Sequence, residues 1–337
     1  MSYKVPVHGT AVIVTAVGGV LGIVYCLYRF YQETRKKKLP QKWRSVGFLK
    51  SLNIYPIKSC GVISTDKAEC TLLGLKREWL RDRILCVVDD SYNFITARVY
   101  QDLLLVSPNV DGSVITLEHP AMDVPVKVDL AEVIATEFPK TATIWGNEVS
   151  VYDCGNEASQ WFTKLLKRPS KNYYLVLYAS QKCRFSKDPR YKYFNFTKDD
   201  TGAFPDDTSY HLINEASVED LNPRLEGSAV TARQFRPNFI ISGCQPYDED
   251  NWNFIKIGEN VFEVVMPCLR CVLTTLDPET GSRNSNNEPL QTLRGYRQHD
   301  NELIRKAFGN SPRMGLQLAL RSESGGVISV NDPVSVA

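Results

Sequence analysis

The stretch FLKSLNIYPIKSCG, residues 48–61, gives the most direct reading of the fold in this sequence. Apolar and polar residues alternate along its first half, and a proline and a glycine follow, which is typical of a β-strand that leads into a turn. Further short segments have the same character, because they are rich in β-branched residues and bounded by turn residues. These predicted strands are residues 83–90, 113–119, 124–130, 238–243 and 260–266.

Helical patterns are fewer than strand patterns. The clearest is NEASQWFTKLLKRP, residues 156–169, in which the large apolar residues share one face and a proline ends the helix. Two further helices are predicted to begin at Ser217, with Asp220 as part of a capping box, and at Asp300. Many strands with a few separated helices favour an α+β protein of mostly antiparallel β-sheet, barrel-like in form, over a repeating βαβ series.

The composition excludes several classes of protein. The chain of 337 residues is long enough for two structural units with ordinary apolar cores. Its 40 basic and 38 acidic residues leave a net charge of +2, which is too small for a chain-wide attraction to nucleic acid. The nine cysteines are odd in number and irregularly spaced, which favours a reducing compartment over a secreted disulfide framework. No glycine-rich nucleotide-binding motif follows any predicted strand.

The amino-terminal segment predicts a membrane anchor. Between Lys4 and Arg29 there are 24 residues without Lys, Arg, Asp or Glu. Such a segment can cross a hydrocarbon core of about 30 Å as a helix. The sequence RKKK follows this span at residues 35–38, whereas only Lys4 and the terminal amine precede it. The positive-inside rule therefore predicts that the larger, carboxyl-terminal part faces the cytosol.

The segment 184–207 interleaves aromatic residues with charges, as some nucleic-acid-binding surfaces do. It holds five basic and five acidic residues, so the electrostatic requirement for binding a phosphate backbone is not met. We therefore expect a long surface loop or lid, and no nucleic-acid partner.

Two cysteines stand three positions apart, Cys268 and Cys271, in the stretch MPCLRCVLTT. A structural zinc site is disfavoured because the chain has no second Cys-x-x-Cys and only four histidines. A thioredoxin-type site should precede a helix, whereas residues 272–281 are predicted to form a strand and a turn. Covalent c-type haem is excluded because Val272 stands where a histidine is required. The residues alone leave buried strand thiols and a redox or metal site open.

Several motifs together resemble the MOSC (molybdenum cofactor sulfurase carboxyl-terminal) family. They are IYPIKSCG at 54–61, RDRILCVVD at 81–89, TAR at 96–98, FRPNFIISG at 235–243 and PCLRCVLTT with DPETG at 267–281. With the anchor, the whole chain resembles the mitochondrial amidoxime-reducing components within that family. The resemblance implies an anchor with a basic linker at 1–45, a smaller β-rich MOSC-associated domain at 46–172, and a MOSC β-barrel domain at 173–337.

The resemblance also implies a cofactor, which is molybdenum carried by molybdopterin. In this family the second cysteine of the pair binds the metal, so Cys271 is the implied catalytic residue and molybdenum ligand. Other residues of the matching motifs are implied to contact the pterin and its phosphate: Lys58, Ser59, Arg83, Asp207, Thr208, Ser209, Arg236, Cys268, Leu269 and Arg270. Two positions depart from the pattern, because Leu269 replaces a small polar residue and Gln317 replaces an aromatic residue of some relatives.

The implied activity is the reduction of N-hydroxylated compounds, such as amidoximes, hydroxylamines and N-hydroxyguanidines, to amines or amidines and water. The implied electron donors are cytochrome b5 and NADH-cytochrome b5 reductase, since the sequence has no flavin or haem signature. The implied location is the mitochondrial outer membrane, which the chain crosses once with its catalytic part in the cytosol. Two other functions stay open, a sulfur-transfer protein and a non-catalytic membrane adaptor.

Overall fold

The computed structural model describes residues 39–168, 170–227 and 229–337. The predicted membrane anchor lies outside the described residues. Among the helices of the described ranges, none is both long enough and apolar enough to cross a membrane. The part Lys42–Ala337 forms one compact unit, to which the elements below belong.

Strands dominate the regular structure of the described ranges. In chain order they are β1 (Arg44–Ile54), β2 (Ile63–Thr65), β3 (Lys67–Thr71), β4 (Gly74–Arg77), β5 (Leu80–Arg81), β6 (Leu85–Asp89), β7 (Ser107–Asp111), β8 (Val114–Glu118), β9 (Val126–Asp129), β10 (Lys140–Ile144), β11 (Asn147–Asp153), β12 (Tyr173–Tyr178), β13 (Tyr210–Asn214), β14 (Phe239–Ser242), β15 (Phe254–Ile257), β16 (Asn260–Leu269), β17 (Arg313–Leu320), β18 (Gly326–Ser329) and β19 (Pro333–Val336). The α-helices are α1 (Leu130–Thr136), α2 (Asn156–Leu166), α3 (Glu215–Leu221), α4 (Leu290–Tyr296) and α5 (Glu302–Phe308).

The largest sheet closes into a barrel. Its strand order is β14-β13-β17-β16-β15-β19-β1, and β1 pairs again with β14, so the two ends of the series meet. Strand β2 extends this sheet beyond β1. Neighbouring strands of the barrel are antiparallel except β13 and β14, which are parallel. The predicted α+β class, mostly antiparallel and barrel-like, is confirmed.

Aromatic side chains fill the barrel. The rings of Tyr210, Phe239 and Phe262 contact one another at centroid distances of 5.1 to 5.6 Å. Leu52 of β1 lies opposite Phe239 in the pairing that closes the barrel. Burying such a side chain stabilises the fold by about 1.5–3 kcal/mol. The closed barrel is therefore stabilised by side chains from strands that are distant in sequence.

A second apolar core lies beneath the four-stranded sheet β10-β11-β12-β6. Helix α2 buries Trp161, Phe162 and Leu165 there, because these residues share one face at helical spacing. The three-stranded sheet β7-β8-β9 contributes to the same core through Ile115 and Leu117. A smaller sheet, β18-β3-β4-β5, joins a late strand to three early ones.

The structure corrects several local predictions. Helix α3 begins at Glu215 and not at Ser217, because the Asn214 side chain caps it by accepting from the Ala216 N–H. Residues after Cys271 form a 3-10 helix, Val272–Thr275, where a strand was predicted. Hydroxyl groups explain this difference, since both threonines of that segment donate to backbone carbonyl oxygens three residues earlier.

The segment 184–207 is irregular apart from a 3-10 helix at Pro189–Tyr193, but it is not entirely a surface loop. Parts of it are buried, with Arg184 and Asp200 each 1% exposed. The Arg184 guanidinium donates to the carbonyl oxygens of Ala203 and Pro205, at 3.2 and 2.9 Å. The predicted surface loop or lid is therefore partly buried, because the Arg184 side chain ties the start of the segment to residues 203–205.

Candidate active site

A cavity of about 110 Å³ lies at the end of strand β16, where loops next to β1, β6, β13 and β14 converge. The residues predicted to contact a cofactor line it, with one exception: Lys58, Ser59, Arg83, Asp207, Thr208, Arg236, Cys268, Leu269, Arg270 and Cys271. The exception is Ser209, whose hydroxyl donates to the Leu72 carbonyl oxygen at 2.6 Å. The fold thus brings together residues that lie more than two hundred positions apart in the sequence.

The two cysteines differ in their surroundings. Cys268 lies within β16, is 5% exposed, and has Gln317 Nε2 at 3.1 Å from its Sγ. Burial raises the pKa of the Cys268 thiol to about 11, so this thiol is neutral at physiological pH. Cys271 is partly exposed, and its Sγ accepts a hydrogen bond from Arg98 Nε at 3.3 Å. The pair is therefore asymmetric, with Cys271 both reachable and beside a cation.

A sharp turn places Cys271 at the cavity wall. Strand β16 ends at Leu269, and the 3-10 helix Val272–Thr275 starts directly after Cys271. The Thr274 N–H and hydroxyl both donate to the Cys271 carbonyl oxygen, at 3.0 and 2.9 Å. These two bonds fix the backbone from which the thiol projects.

Asp206 joins two basic residues from separate parts of the chain. Its carboxylate accepts from Lys58 Nζ and from Arg98 Nη2. Lys58 Nζ also donates to the Phe204 carbonyl oxygen at 2.9 Å. Burial alone would raise the pKa of Asp206, but the two cations hold this pKa well below its usual range. The result is a fixed row of alternating charges, whose last member, Arg98, contacts the Cys271 thiol.

Asp207 has the opposite electrostatic behaviour. Burial raises its pKa to about 6, and the neighbouring charge of Asp206 acts in the same direction. The Tyr191 hydroxyl lies 3.2 Å from Asp207 Oδ1 and partly offsets this effect. Asp207 is thus a cavity-lining carboxyl group that can change protonation near neutral pH.

Arg270 braces the cavity from within the protein. Its Nε donates to the Met314 carbonyl oxygen at 2.8 Å, and Nη1 donates to the Phe235 carbonyl oxygen at 3.2 Å. Its Nη2 contacts His211 Nε2. Burial, with the nearby Arg270 charge, holds the pKa of His211 well below its usual range, so His211 is neutral and accepts from the guanidinium. Most of the donors of Arg270 are therefore committed to other protein groups.

Arg236 is different, because part of its guanidinium is buried without a partner. Among the described residues no hydrogen-bond acceptor reaches Arg236 Nη2. Burial lowers the pKa of Arg236 to about 10, and the nearby charge of Arg83 contributes to this. The guanidinium carbons of Arg83 and Arg236 lie 4.7 and 4.3 Å from the centroid of the Tyr55 ring, whose π-electrons favour adjacent cations.

Three residues at this wall have left-handed backbone conformations. They are Ser59, Arg83 and Arg236, with φ angles of 71°, 44° and 56°. Such angles are unfavourable for residues with a Cβ, and they cluster at functional sites. Arg83 Nη2 donates to the Arg236 carbonyl oxygen at 3.0 Å, which stabilises two of these strained residues against each other.

Comparison with known proteins assigns the family. Residues 46–169 match the MOSC N-terminal beta barrel domain, and residues 199–335 match the MOSC domain. The mitochondrial amidoxime-reducing component 1 of Homo sapiens is 39% identical over 304 residues, which cover 89% of this chain and 85% of the relative. The chain belongs to the mitochondrial amidoxime-reducing component family.

Other members of the family give the same result. The mitochondrial amidoxime reducing component 2 of Rattus norvegicus is 35% identical and covers 91% of this chain and 87% of its own length. The mitochondrial amidoxime-reducing component 1 of Danio rerio is 34% identical and covers 98% and 94%. A solved Bordetella bronchiseptica protein covers 32% of this chain and 83% of its own, at 16% identity and a TM-score of 0.26, which is too low to bear on the fold.

Several residues at the site of this family member were not predicted as contacts. Arg98 stands in the TAR motif, and Asp206 stands beside the predicted Asp207, so both were within recognised segments. Tyr55 also stands in a recognised motif, residues 54–61, but its contact with Arg236, like that of His211 with Arg270, depends on arginines that only the fold brings near. The departure at Gln317 also gains an account, since its amide oxygen accepts from the Thr208 hydroxyl and its amide nitrogen donates to Cys268 Sγ, whereas a phenyl ring has neither group.

Proposed function

We propose that this chain is a molybdenum-dependent reductase of N-hydroxylated compounds, including amidoximes, hydroxylamines and N-hydroxyguanidines. The reaction takes up two electrons and two protons, cleaves the N–O bond, and releases the amine or amidine and water. The observation that supports this most is a partly exposed thiol, Cys271, on the wall of a cavity lined by basic side chains. The names of the relatives support the same class of reaction.

The residues present fit molybdopterin as the cofactor. A metal already held by the two dithiolene sulfurs of the pterin needs one further soft ligand from the protein, and Cys271 is placed to supply it. The buried Nη2 of Arg236, which has no acceptor among the described residues, suits a phosphate oxygen. When bound, the molybdenum would act as Lewis acid and redox centre for oxygen removal.

Each predicted site residue then has a proposed part. Cys271 is the catalytic residue and metal ligand. The side chains of Lys58, Ser59, Arg83, Arg236, Thr208 and Asp207 and the backbone of Leu269 contact the cofactor, and Ser209 supports this wall through Leu72. Arg98 orients the Cys271 thiol, Arg270 holds the wall rigid, and Cys268 is a neutral neighbour with no redox role.

The partners and location follow from the same proposal. Electrons come from NADH through cytochrome b5 reductase and cytochrome b5. Residues 1–45 anchor the chain in the mitochondrial outer membrane by a single span, with the catalytic part, residues 46–172 and 173–337, in the cytosol. A shared membrane raises the effective concentration of donor and acceptor without a large interface.

Reconstitution tests the proposed function. Purified protein loaded with molybdenum cofactor, supplied with NADH, cytochrome b5 and its reductase, is expected to convert benzamidoxime to benzamidine, with one NADH oxidised per product. Failure of this conversion by metal-loaded protein would contradict the proposal. If protein made in a cofactor-competent host is found to contain no molybdenum, that result would favour a non-catalytic adaptor. A persulfide detected on Cys271 would favour sulfur transfer.

A further inference from the structure

The hairpin between β10 and β11 has an unusual residue at its tip. Ile144 pairs with Asn147, so Trp145 and Gly146 form a two-residue turn, and both have positive φ angles, 50° and 73°. Such turns favour asparagine, aspartate or glycine at the first position. A bulky residue with a Cβ is strained there, and strain of this kind points to a function when the surroundings give no structural reason for it.

Packing provides only part of that reason. Trp145 leaves 46% of its surface exposed, so much of a large aromatic side chain stays in water. Its ring contacts Phe94 at a centroid distance of 4.7 Å, and the two rings are inclined by 57°. The exposed part of the indole gains nothing from packing, and asparagine at this position would relieve the turn. The sequence thus keeps a tryptophan where the local fold favours a small polar residue.

The exposed ring lies beside the candidate active site. Arg98 Cζ is 5.4 Å from its centroid and Lys58 Nζ is 5.8 Å away, and both residues line the cavity. Arg98 is also the residue that donates to Cys271 Sγ at 3.3 Å. A single side chain therefore separates the Trp145 ring from the thiol of the proposed metal ligand.

We propose that Trp145 is a specificity-determining residue, against which the planar aromatic or amidoxime part of a substrate stacks while its N–O group enters the cavity. The chemistry follows from the exposed part of the indole, since an aromatic ring stacks with flat, delocalised groups and offers little to a small aliphatic hydroxylamine. This inference rests on the proposed function, since it concerns the substrates of the same site.

Steady-state kinetics of the loaded enzyme with two substrates test it. For Trp145→Asn we expect the KM for benzamidoxime to rise about threefold to tenfold, as for loss of one aromatic contact. The kcat for benzamidoxime and the KM for N-methylhydroxylamine should both stay within about twofold of wild type, at unchanged molybdenum content. Trp145→Phe should restore most of the benzamidoxime KM. If Trp145→Asn does not fold, the contrast between Trp145→Phe and Trp145→Leu replaces it.

Trp79 provides a matched control. It is also an exposed tryptophan, 38% exposed, in the two-residue connection between β4 and β5, where Arg77 pairs with Leu80. It lines a separate cavity that shares no residue with the candidate active site. Trp79→Asn should leave both KM values unchanged.

The outcomes separate this inference from the function it rests on. If Trp145→Asn raises both KM values equally, or raises neither, Trp145 has no stacking role. The proposed function would still stand in that case, provided that the wild-type enzyme is active. A wild-type enzyme that reduces neither substrate would overturn the proposed function itself, and the role of Trp145 with it.

Discussion

Two neighbouring aspartates show how much the surroundings of a single residue decide. Asp206 lies between Lys58 and Arg98, which hold its pKa well below the usual range in spite of its partial burial. Among the described residues no cation forms an ion pair with Asp207, and burial raises its pKa to about 6. The same side chain therefore stabilises the fold as an anion at one position and destabilises it as an anion at the next.

We expect Asp206→Asn to lower the free energy of unfolding at pH 7 by about 2 kcal/mol, between the values typical of exposed and buried ion pairs. Because the folded pKa of Asp206 is depressed, its contribution is present above the unfolded pKa of about 4 and shrinks as the pH falls below that value. Urea unfolding between pH 3 and pH 8 measures this difference.

Asp207→Asn is the matched variant, with the opposite sign. A raised folded pKa makes ionised Asp207 unfavourable, so removing the charge should stabilise the protein by about 2 kcal/mol above pH 6 and change little at pH 4. The account of these two residues would be wrong if both variants changed stability in the same direction at pH 7.

The asymmetry of the thiols leads to a second prediction at this scale. In Cys271→Ser we expect activity to fall by more than about a hundredfold, because losing the proposed direct ligand should exceed the 10- to 100-fold effect of losing an outer-shell partner. Molybdenum and pterin content, measured beside benzamidoxime reduction, show whether the metal–thiolate bond is lost.

Cys268→Ser is the control for this prediction. Its thiol is buried, neutral and bonded to Gln317, so the variant should keep its cofactor and most of its activity. Equal loss of cofactor in both variants would contradict the assignment of Cys271 as the sole protein ligand.

At the scale of elements, the close approach of strands β13 and β17 sets the position of Arg270. Gly315 lies in β17 at a φ angle of +75°, and a Cβ there would lie 2.3 Å from the Leu212 carbonyl oxygen and 3.2 Å from His211 Nε2. Its neighbour Met314 supplies the carbonyl oxygen to which Arg270 Nε donates. A glycine in this strand thus allows the barrel wall and the arginine to meet.

We expect Gly315→Ala to destabilise the protein by about 3 kcal/mol, since left-handed strain of about 1–2 kcal/mol adds to overpacking of about 1–3 kcal/mol. The displaced Met314 carbonyl and His211 should also loosen Arg270 and lower cofactor content. Thermal unfolding and molybdenum analysis of the same preparation measure both effects.

Gly112 offers the control for strain alone. It also has a positive φ angle, +56°, but a Cβ there would lie more than 4 Å from other atoms of the described ranges. Gly112→Ala should therefore cost only about 1 kcal/mol and leave the cofactor in place. If Gly315→Ala and Gly112→Ala destabilised the protein equally, the contact with β13 would contribute nothing to the loss of stability.

At the scale of the whole molecule, strands from opposite ends of the sequence pair with one another. Strand β1 pairs with both β14 and β19, and β18 pairs with β3. The unit Lys42–Ala337 therefore contains its own complete barrel and does not need residues 1–38 to close it.

A chain that starts at Leu39 is expected to fold, to bind molybdenum and to reduce benzamidoxime with soluble donors, but to leave the membrane fraction. The uncharged stretch between Lys4 and Arg29 is the reason, since it is long enough to span a bilayer and the truncation removes it. Cell fractionation of the full-length and truncated chains measures this. Retention of the truncated chain in the membrane fraction would contradict an amino-terminal anchor.

Much of the fold could be predicted because strand and helix patterns are local properties of the chain. The alternation in residues 48–54 and the apolar face of 156–166 correspond to β1 and α2. The start of α3 and the segment after Cys271 could not be predicted in the same way. Asn214 and Thr274 decide them through side-chain hydrogen bonds to the backbone, which compete with the apolar pattern.

The sequence by itself determined a β-rich, barrel-like protein, and its resemblance to a family implied an asymmetric pair of thiols, with Cys271 favoured, and a set of basic residues at the same site. Only the tertiary structure decided which of those basic groups already form hydrogen bonds with other groups of the protein. Lys58 and Arg270 bond to protein groups, whereas Arg236 keeps a buried nitrogen without an acceptor among the described residues. The physical reason is that pairing depends on distance and burial between segments far apart in sequence, and these exist only once the barrel has closed.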